Sequence, residues 1–274
     1  LSHELTHPLA SHLYHTIHDK LLKLPDAVNV FPTHGAGSFC VAPVSSERTT
    51  TIGHERKTNQ LAQPQTEAEF IQRALTGLPA YPTYYKYMRA INQKGARLLG
   101  GVPLLKPYSP SEVKALMESG VVVLDLRHQK KFCAGHIPDS YGIRVDAPLV
   151  VWAGWVIPFG SRIVLLAESA AEREEATRQL IRIGYDDVLG YVEGGIEAWA
   201  RDYPVGTVQS IHPKELRERL NEVTLVDVRM QSEWNEGHIP NANHFEGGRV
   251  AWEEFPFSQD RPLAIQCASG SRSM

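Results

Sequence analysis

Short apolar runs and amphipathic stretches alternate through the second half of the chain. "VVVLDLR" (121–127) is a continuous apolar run of strand length, as expected of a strand buried on both faces of a parallel sheet. "SRIVLLAES" (161–169) is another. "VKALMESG" (113–120) reads as a helix ended by Gly120. "EREEATRQLIRIGY" (172–185) is amphipathic and stops near Gly184. "DVLGYVEGGIEAWARDYP" (187–204) reads as strand, Gly-rich turn and short helix. Strands alternating with helices predict an α/β fold whose mostly parallel sheet is covered on both faces. The first hundred residues follow a different pattern. They predict a helix over 8–23, a short strand at "VNVF" (28–31), and helices within 65–79 and 84–100. "GGVPLLKPYSP" (100–110), rich in Gly and Pro, reads as a linker.

The second half contains a repeat. "LDLRHQKKFCAGHIP" (124–138) aligns with "VDVRMQSEWNEGHIP" (226–240), every matched pair lying 102 residues apart. Asp125 meets Asp227, Arg127 meets Arg229, Phe132 meets Trp234, and Gly135 to Pro138 meet Gly237 to Pro240. One register over so many positions implies two copies of a small α/β domain. "RIVLLAESAAE" (162–172) aligns with "PLAIQCASGSR" (262–272) at an offset of 100. Ala167 therefore faces Cys267, Ala170 faces Gly270, and Glu172 faces Arg272. Compared with copy one, copy two stops after this loop, so the sequence reads as part of a longer protein.

Composition narrows the function classes. Of 274 residues, 42% are hydrophobic and 22% charged, with a net charge of −3. That balance gives no electrostatic case for nucleic acid or an anionic membrane as partner. No apolar run approaches the roughly 18 residues of a membrane-spanning helix. Cys40, Cys133 and Cys267 are odd in number and widely spaced, which argues against a disulfide framework and fits a reducing, cytoplasmic setting.

Cys267 carries the clearest chemistry. An apolar strand (262–266) delivers it to a strand's carboxyl end, where α/β folds place their sites. Ala268, Ser269, Gly270 and Ser271 are small enough for backbone N–H groups to form an anion-binding nest. A following helix N-terminus would add its dipole, and both effects lower a thiol pKa. Arg272 would brace the loop or hold an anionic substrate bidentately. This C-x-x-G-x-R, behind D-V-R and E-G-H-I-P, resembles the rhodanese sulfurtransferase family over about 107–274. The resemblance implies that Cys267 accepts sulfane sulfur as a persulfide and passes it on. It also implies that the amides of Ala268 to Arg272 cradle that persulfide and that Asp227 and Arg229 brace the site. The alternative is a phosphatase of the dual-specificity kind, whose loop needs one residue more between Cys and Arg than the four present here. Copy one resembles a degenerate rhodanese, since Ala167 excludes covalent catalysis. Cys133, replaced by Asn235 in copy two, reads as structural or incidental.

In the first hundred residues, "LPDAVNVFPTHGAGSFC" (24–40) carries His34 at a strand end beside glycines, which permit close approach to a metal. With its flanks, "LYHTIHDKLLKLPD" and "SSERTTTIGHERKTN", this stretch resembles the C-terminal part of a metallo-β-lactamase-fold protein of the glyoxalase II and persulfide dioxygenase branch. The resemblance puts His34 at the fold's second metal position. The other ligands, including H-x-H-x-D-H, are absent from this sequence. An intact parent would hold Fe(II); this chain is not expected to bind it fully. His12, His15 and His18 recur every three residues and read as a partly exposed helix face. "ERKTN" (55–59) is basic and reads either as a site for an acidic thiol or as a solvated charge run.

The expected organisation is a metallo-β-lactamase αββα fragment (1–106), a degenerate rhodanese-like domain (107–206) and a second rhodanese-like domain (207–274) that ends after its loop. That order resembles persulfide dioxygenase–rhodanese fusions. It implies a sulfurtransferase using a Cys267 persulfide, coupled in the parent to iron-dependent persulfide dioxygenation giving sulfite or thiosulfate. The partners implied are a low-molecular-weight thiol persulfide or thiosulfate, and the reading admits a homo-oligomer. Two other readings stand beside it. One is a glyoxalase II-like thioesterase with accessory rhodaneses. The other is a non-catalytic scaffold that binds sulfur carriers.

Overall fold

The computed structural model describes residues 3–32, 49–76, 81–146, 148–251, 253–258 and 260–273. The chain forms two compact units, Leu1–Leu78 and Pro79–Met274. In the first, α1 (His3–His15) continues through a π-helical turn (Thr16–Lys20) and a 3₁₀ turn (Leu21–Lys23). The helix thus begins before Pro8, where the sequence pattern started it. Two short antiparallel strands follow, β1 (Asn29–Val30) and β2 (Thr50–Thr51). Next come α2 (Ile52–Thr58), capped by the Thr51 hydroxyl, and α3 (Glu67–Leu75), opened by a Thr66–Glu69 capping box. Tyr14 of α1 and His18 of the π-helical turn pack on α3, their rings meeting the fully buried Phe70.

The second unit opens with α4 (Tyr85–Lys94). The helical pattern runs on to residue 100, but the helix stops at Gly95, whose φ of 91° only glycine adopts readily. Before α4, the Thr83 N–H and hydroxyl donate to the Gly154 carbonyl at 2.7 and 2.9 Å. The expected linker is shorter than its composition suggests. Lys106–Tyr108 forms β3, and Ser109 caps α5 (Pro110–Glu118), with Pro at the first helical position. Then follow β4 (Val122–Asp125), α6 (Gln129–Ala134), β5 (Tyr141–Gly142), α7 (Leu149–Val156), β6 (Ile163–Leu166), α8 (Ala170–Arg182), β7 (Val188–Val192) and α9 (Gly195–Asp202).

The five strands of copy one are all parallel, in the order β3-β7-β6-β4-β5. Side chains alternate across the sheet. Leu124, Ile163 and Leu165 pack with α7 and α8 on one face, and Val123, Val164 and Leu166 pack with Val113 and Trp199 on the other. Both faces are buried, which is why β4 and β6 read as unbroken apolar runs.

Copy two contributes α10 (Pro213–Glu218), β8 (Thr224–Asp227), α11 (Gln231–Glu236), β9 (Asn243–His244) and β10 (Leu263–Gln266). Its parallel sheet has the order β10-β8-β9, matching β6-β4-β5 of copy one strand for strand. The match extends to backbone strain: Asp139 and Asn241, 102 residues apart, both take positive φ, at 62° and 64°. Val226, Val228 and Phe245 form an apolar cluster that reaches Ile265 and Cys267.

Candidate active site

Strand register brings the site together. β8 and β10 run parallel with Asp227 beside Gln266, so their carboxyl ends deliver Asp227 and Cys267 to the same end of the sheet. Asp227 is completely buried. It accepts the Arg229 N–H at 3.0 Å, and its second oxygen accepts from Nε and Nη2 at 2.9 and 2.7 Å. Arg229 Nη2 also donates to the Gly237 carbonyl at 2.7 Å. Burial pushes the Asp227 carboxyl up, the hydrogen bonds from Arg229 pull it down, and the net is below the ordinary carboxylate value. The pair thus ties the strand end to the G-H-I-P turn. There His238 stacks on Trp234 at 3.5 Å and hydrogen-bonds the Trp234 carbonyl at 3.0 Å. Copy one repeats this arrangement with Asp125, Arg127 and the Gly135 carbonyl.

The Cys267 sulfur is half-buried at the mouth of the loop. The Gly270 N–H points at it from 3.1 Å, and the Ser273 hydroxyl lies 3.7 Å away. Burial alone would push the thiol up. The Arg272 N–H, the Ser273 hydroxyl and the N–H groups of Ser269 and Gly270 outweigh it, and the thiol sits below its ordinary value. Of the nest residues expected from sequence, Gly270 thus brings its amide to the sulfur, and the amides of Ser269 and Arg272 favour the thiolate alongside it. Ala268 is exposed, and the Ser269 and Ser271 hydroxyls bond each other at 3.0 Å.

Gly270 adopts a φ of 84°. Gly270→Ala meets open space, yet an L side chain in this region costs about 1–2 kcal/mol. We expect the loop to relax, the 3.1 Å N–H contact to lengthen, and the pH midpoint of Cys267 alkylation to rise. Iodoacetamide kinetics against pH check this.

Arg272 offered two readings in sequence, brace or substrate clamp. Its guanidinium is committed to Glu233 of α11, Nη1 to Oε2 at 2.5 Å and Nη2 to Oε1 at 2.7 Å. The Met230 N–H also donates to Glu233 Oε2, at 3.1 Å. Sequence reasoning passed over Glu233. The repeat contained the signal: Glu233 aligns with Lys131 while Arg272 aligns with Glu172, so both charges invert together. In copy one, Lys131 pairs with Glu168 of the degenerate loop, and the Glu172 carboxylate accepts the Glu168 N–H at 2.8 Å.

Chiefly through Arg272, the Glu233 carboxyl is held down at about 2, against an ordinary 4.5. A carboxyl depressed on folding stabilises above its unfolded value and loses that contribution as pH falls through the folded one. We therefore expect the loop's tie to α11 to be intact at neutral pH and to weaken between about 4.5 and about 2. Amide exchange of residues 268–273 across that range measures it.

Cys133 lies at the end of α6, its thiol raised by burial and its carbonyl accepting the Val208 N–H at 3.0 Å. His34 and Cys40 lie outside the described residues. His15 bonds Asp19 at 2.7 Å and His18 bonds the Leu61 carbonyl at 3.0 Å, both in the first unit. From the basic run, Arg56 bonds Asp26 and the Leu22 carbonyl at 2.5 and 2.6 Å. Among the described residues no group of three or more His, Cys, Asp or Glu side chains is arranged to hold a metal. The described residues therefore do not fit an iron site. No helix among them is long and apolar enough to cross a membrane.

The rhodanese-like domain family matches residues 109–202 and 212–274. A protein named thiosulfate sulfurtransferase GlpE, from Pseudomonas savastanoi pv. phaseolicola, is 31% identical over 104 residues, covering 38% of this chain and 95% of the relative. Its namesake from Pseudomonas syringae pv. syringae matches equally. Among solved structures, a metallo-beta-lactamase from Staphylococcus aureus subsp. aureus COL is similar with a TM-score of 0.53 and 29% identity. That match covers 66% of this chain and 49% of the other, so the chain spans about half the length of that structure. Rhodanese-like domains and a metallo-β-lactamase neighbour together support a fusion of the two kinds of sequence.

Proposed function

The chain belongs to the rhodanese-like family, and from that premise we propose that it is a sulfurtransferase in which Cys267 carries sulfane sulfur as a persulfide. The observation that carries this is the half-buried thiol held below its ordinary value by converging N–H groups, with Gly270 N–H at 3.1 Å. The Cys267 thiolate attacks the outer sulfur of a donor, thiosulfate or a low-molecular-weight thiol persulfide. A Cys267–sulfur bond forms, the donor's S–S bond breaks, and its electron pair leaves on sulfite or on the thiolate. The terminal persulfide sulfur, now anionic, is held by the amides of Ser269, Gly270 and Arg272. An acceptor thiolate then attacks that sulfur, and Cys267 departs as the thiolate again. No net oxidation occurs on the protein.

Asp227 and Arg229 hold the strand end and the G-H-I-P turn in place during this cycle. The test is mass spectrometry of the Cys267 peptide after exposure to either donor. Addition of one sulfur atom, removed by an acceptor thiol, supports the reading. An unmodified Cys267 in protein that binds sulfur carriers favours a scaffold instead.

The finer reading is that a longer protein couples this transfer to iron-dependent persulfide dioxygenation. The metallo-beta-lactamase neighbour supports it at the level of fold. Elemental analysis and O2 uptake with a thiol persulfide, on a protein that includes the upstream metal motif, test it. Zinc with thioester hydrolysis would favour the thioesterase reading.

A further inference from the structure

Two guanidinium groups flank the Cys267 loop, and each is matched by a carboxylate. Arg229 is held by Asp227, and Arg272 by Glu233 through both Nη atoms. Arg272 directly follows the nest: the hydroxyl of its neighbour Ser273 lies 3.7 Å from the Cys267 sulfur, and its guanidinium interacts both with Glu233 and with the Cys267 sulfur. A guanidinium facing an anion-binding nest normally selects doubly charged oxyanions, because its fork matches their geometry and its charge grows in value with partial burial. Here that charge is already spoken for. The nest's remaining donors are backbone N–H groups and the Ser273 hydroxyl, which suit a single negative charge on sulfur.

Copy one gives an independent observation. There the helix residue at the same position again compensates the loop, with the signs reversed: Lys131 pairs with Glu168. The helix thus carries whichever charge neutralises its loop, in both copies.

We infer that Glu233 is a specificity-determining residue. By neutralising Arg272 it lowers the positive charge at the nest that would favour dianions, and so biases the site toward monoanionic thiol persulfides over thiosulfate. This rests on the sulfurtransferase reading and deepens it.

The test compares wild type with Glu233→Gln, which keeps an acceptor for the guanidinium but drops the charge, and with the charge-conserving Glu233→Asp. Three quantities are measured. They are the KM for thiosulfate, the KM for 2-mercaptoethanol persulfide, and the protection of Cys267 from iodoacetamide by inorganic sulfate, a dianion that cannot transfer sulfur. An unneutralised opposite charge beside an ionising group shifts its equilibrium by on the order of one pKa unit, or tenfold. In Glu233→Gln we expect the thiosulfate KM to fall about fivefold to tenfold, with sulfate protecting at correspondingly lower concentration. The persulfide KM should fall by only about twofold to threefold, because a monoanion carries half the charge, and the alkylation midpoint should move to lower pH. Glu233→Asp should retain the wild-type donor ratio.

Equal loss of turnover with both donors, unchanged sulfate protection and a raised alkylation midpoint would overturn the inference and leave Glu233 as a brace. Sulfate protection needs no turnover. A wild type inactive with both donors would therefore sink the sulfurtransferase reading while the charge effect of Glu233 remained measurable.

Discussion

Cys267→Ser is expected to abolish persulfide formation and to lower sulfur transfer to background, a loss on the order of a thousandfold or more. A serine alkoxide is inaccessible at neutral pH, and an oxygen cannot carry the sulfane sulfur between donor and acceptor. The nest itself should survive, because the Ser269, Gly270 and Arg272 amides are set by the loop backbone and by the Arg272–Glu233 pair. Sulfate should accordingly still bind. Cys133→Ser is the matched control. Its thiol is raised by burial, and its counterpart in copy two is Asn235, so transfer should continue at the wild-type rate. Single-turnover transfer with thiosulfate as donor measures both variants. Retained transfer in Cys267→Ser would move the chemistry to another residue.

Much of this site is legible in the sequence because the repeat acts as an internal comparison. Asp125 with Asp227, and Arg127 with Arg229, announce a shared buried pair, and the structure gives them the same partners down to the glycine carbonyl. The apolar runs of β4 and β6 are legible for a different reason. Strands covered on both faces have few polar positions to disguise them. Two kinds of feature escape. The β3 strand at Lys106–Tyr108 is three residues long and half exposed, and its pairing with β7 comes from tertiary contact rather than from its own pattern. Glu233 escapes because a carboxylate on a short exposed helix looks like ordinary solvation. Only the three-dimensional meeting of α11 with residue 272, 39 positions later, gives it a partner. The direction of Arg272 was open for the same cause. A sequence shows that an arginine follows the loop, but not which anion reaches it first.

The buried aspartates should be the most costly side chains to remove for stability, and unequally so. Breaking a buried ion pair by deleting one partner costs about 3–5 kcal/mol, because the remaining charge is left uncompensated. Asp125 and Asp227 are both fully enclosed, but their arginines are not alike: Arg127 is 7% exposed and Arg229 18%. Stranded by Asp125→Ala, Arg127 has little water to turn to, and the loss should fall toward about 5 kcal/mol. Arg229 can rotate partly into solvent after Asp227→Ala, and the loss there should lie nearer about 3 kcal/mol. The functional consequences should run the other way. Asp227 pairs across the sheet with Gln266, beside Cys267, so Asp227→Ala should slow Cys267 alkylation. Asp125→Ala acts on copy one and should leave that rate alone. Native-state amide exchange of Val122–Asp125 against Thr224–Asp227 separates the two sheets' stabilities, and alkylation kinetics report on the Cys267 site. If Asp227→Ala proved the more destabilising of the two, arginine exposure would not be what sets the cost.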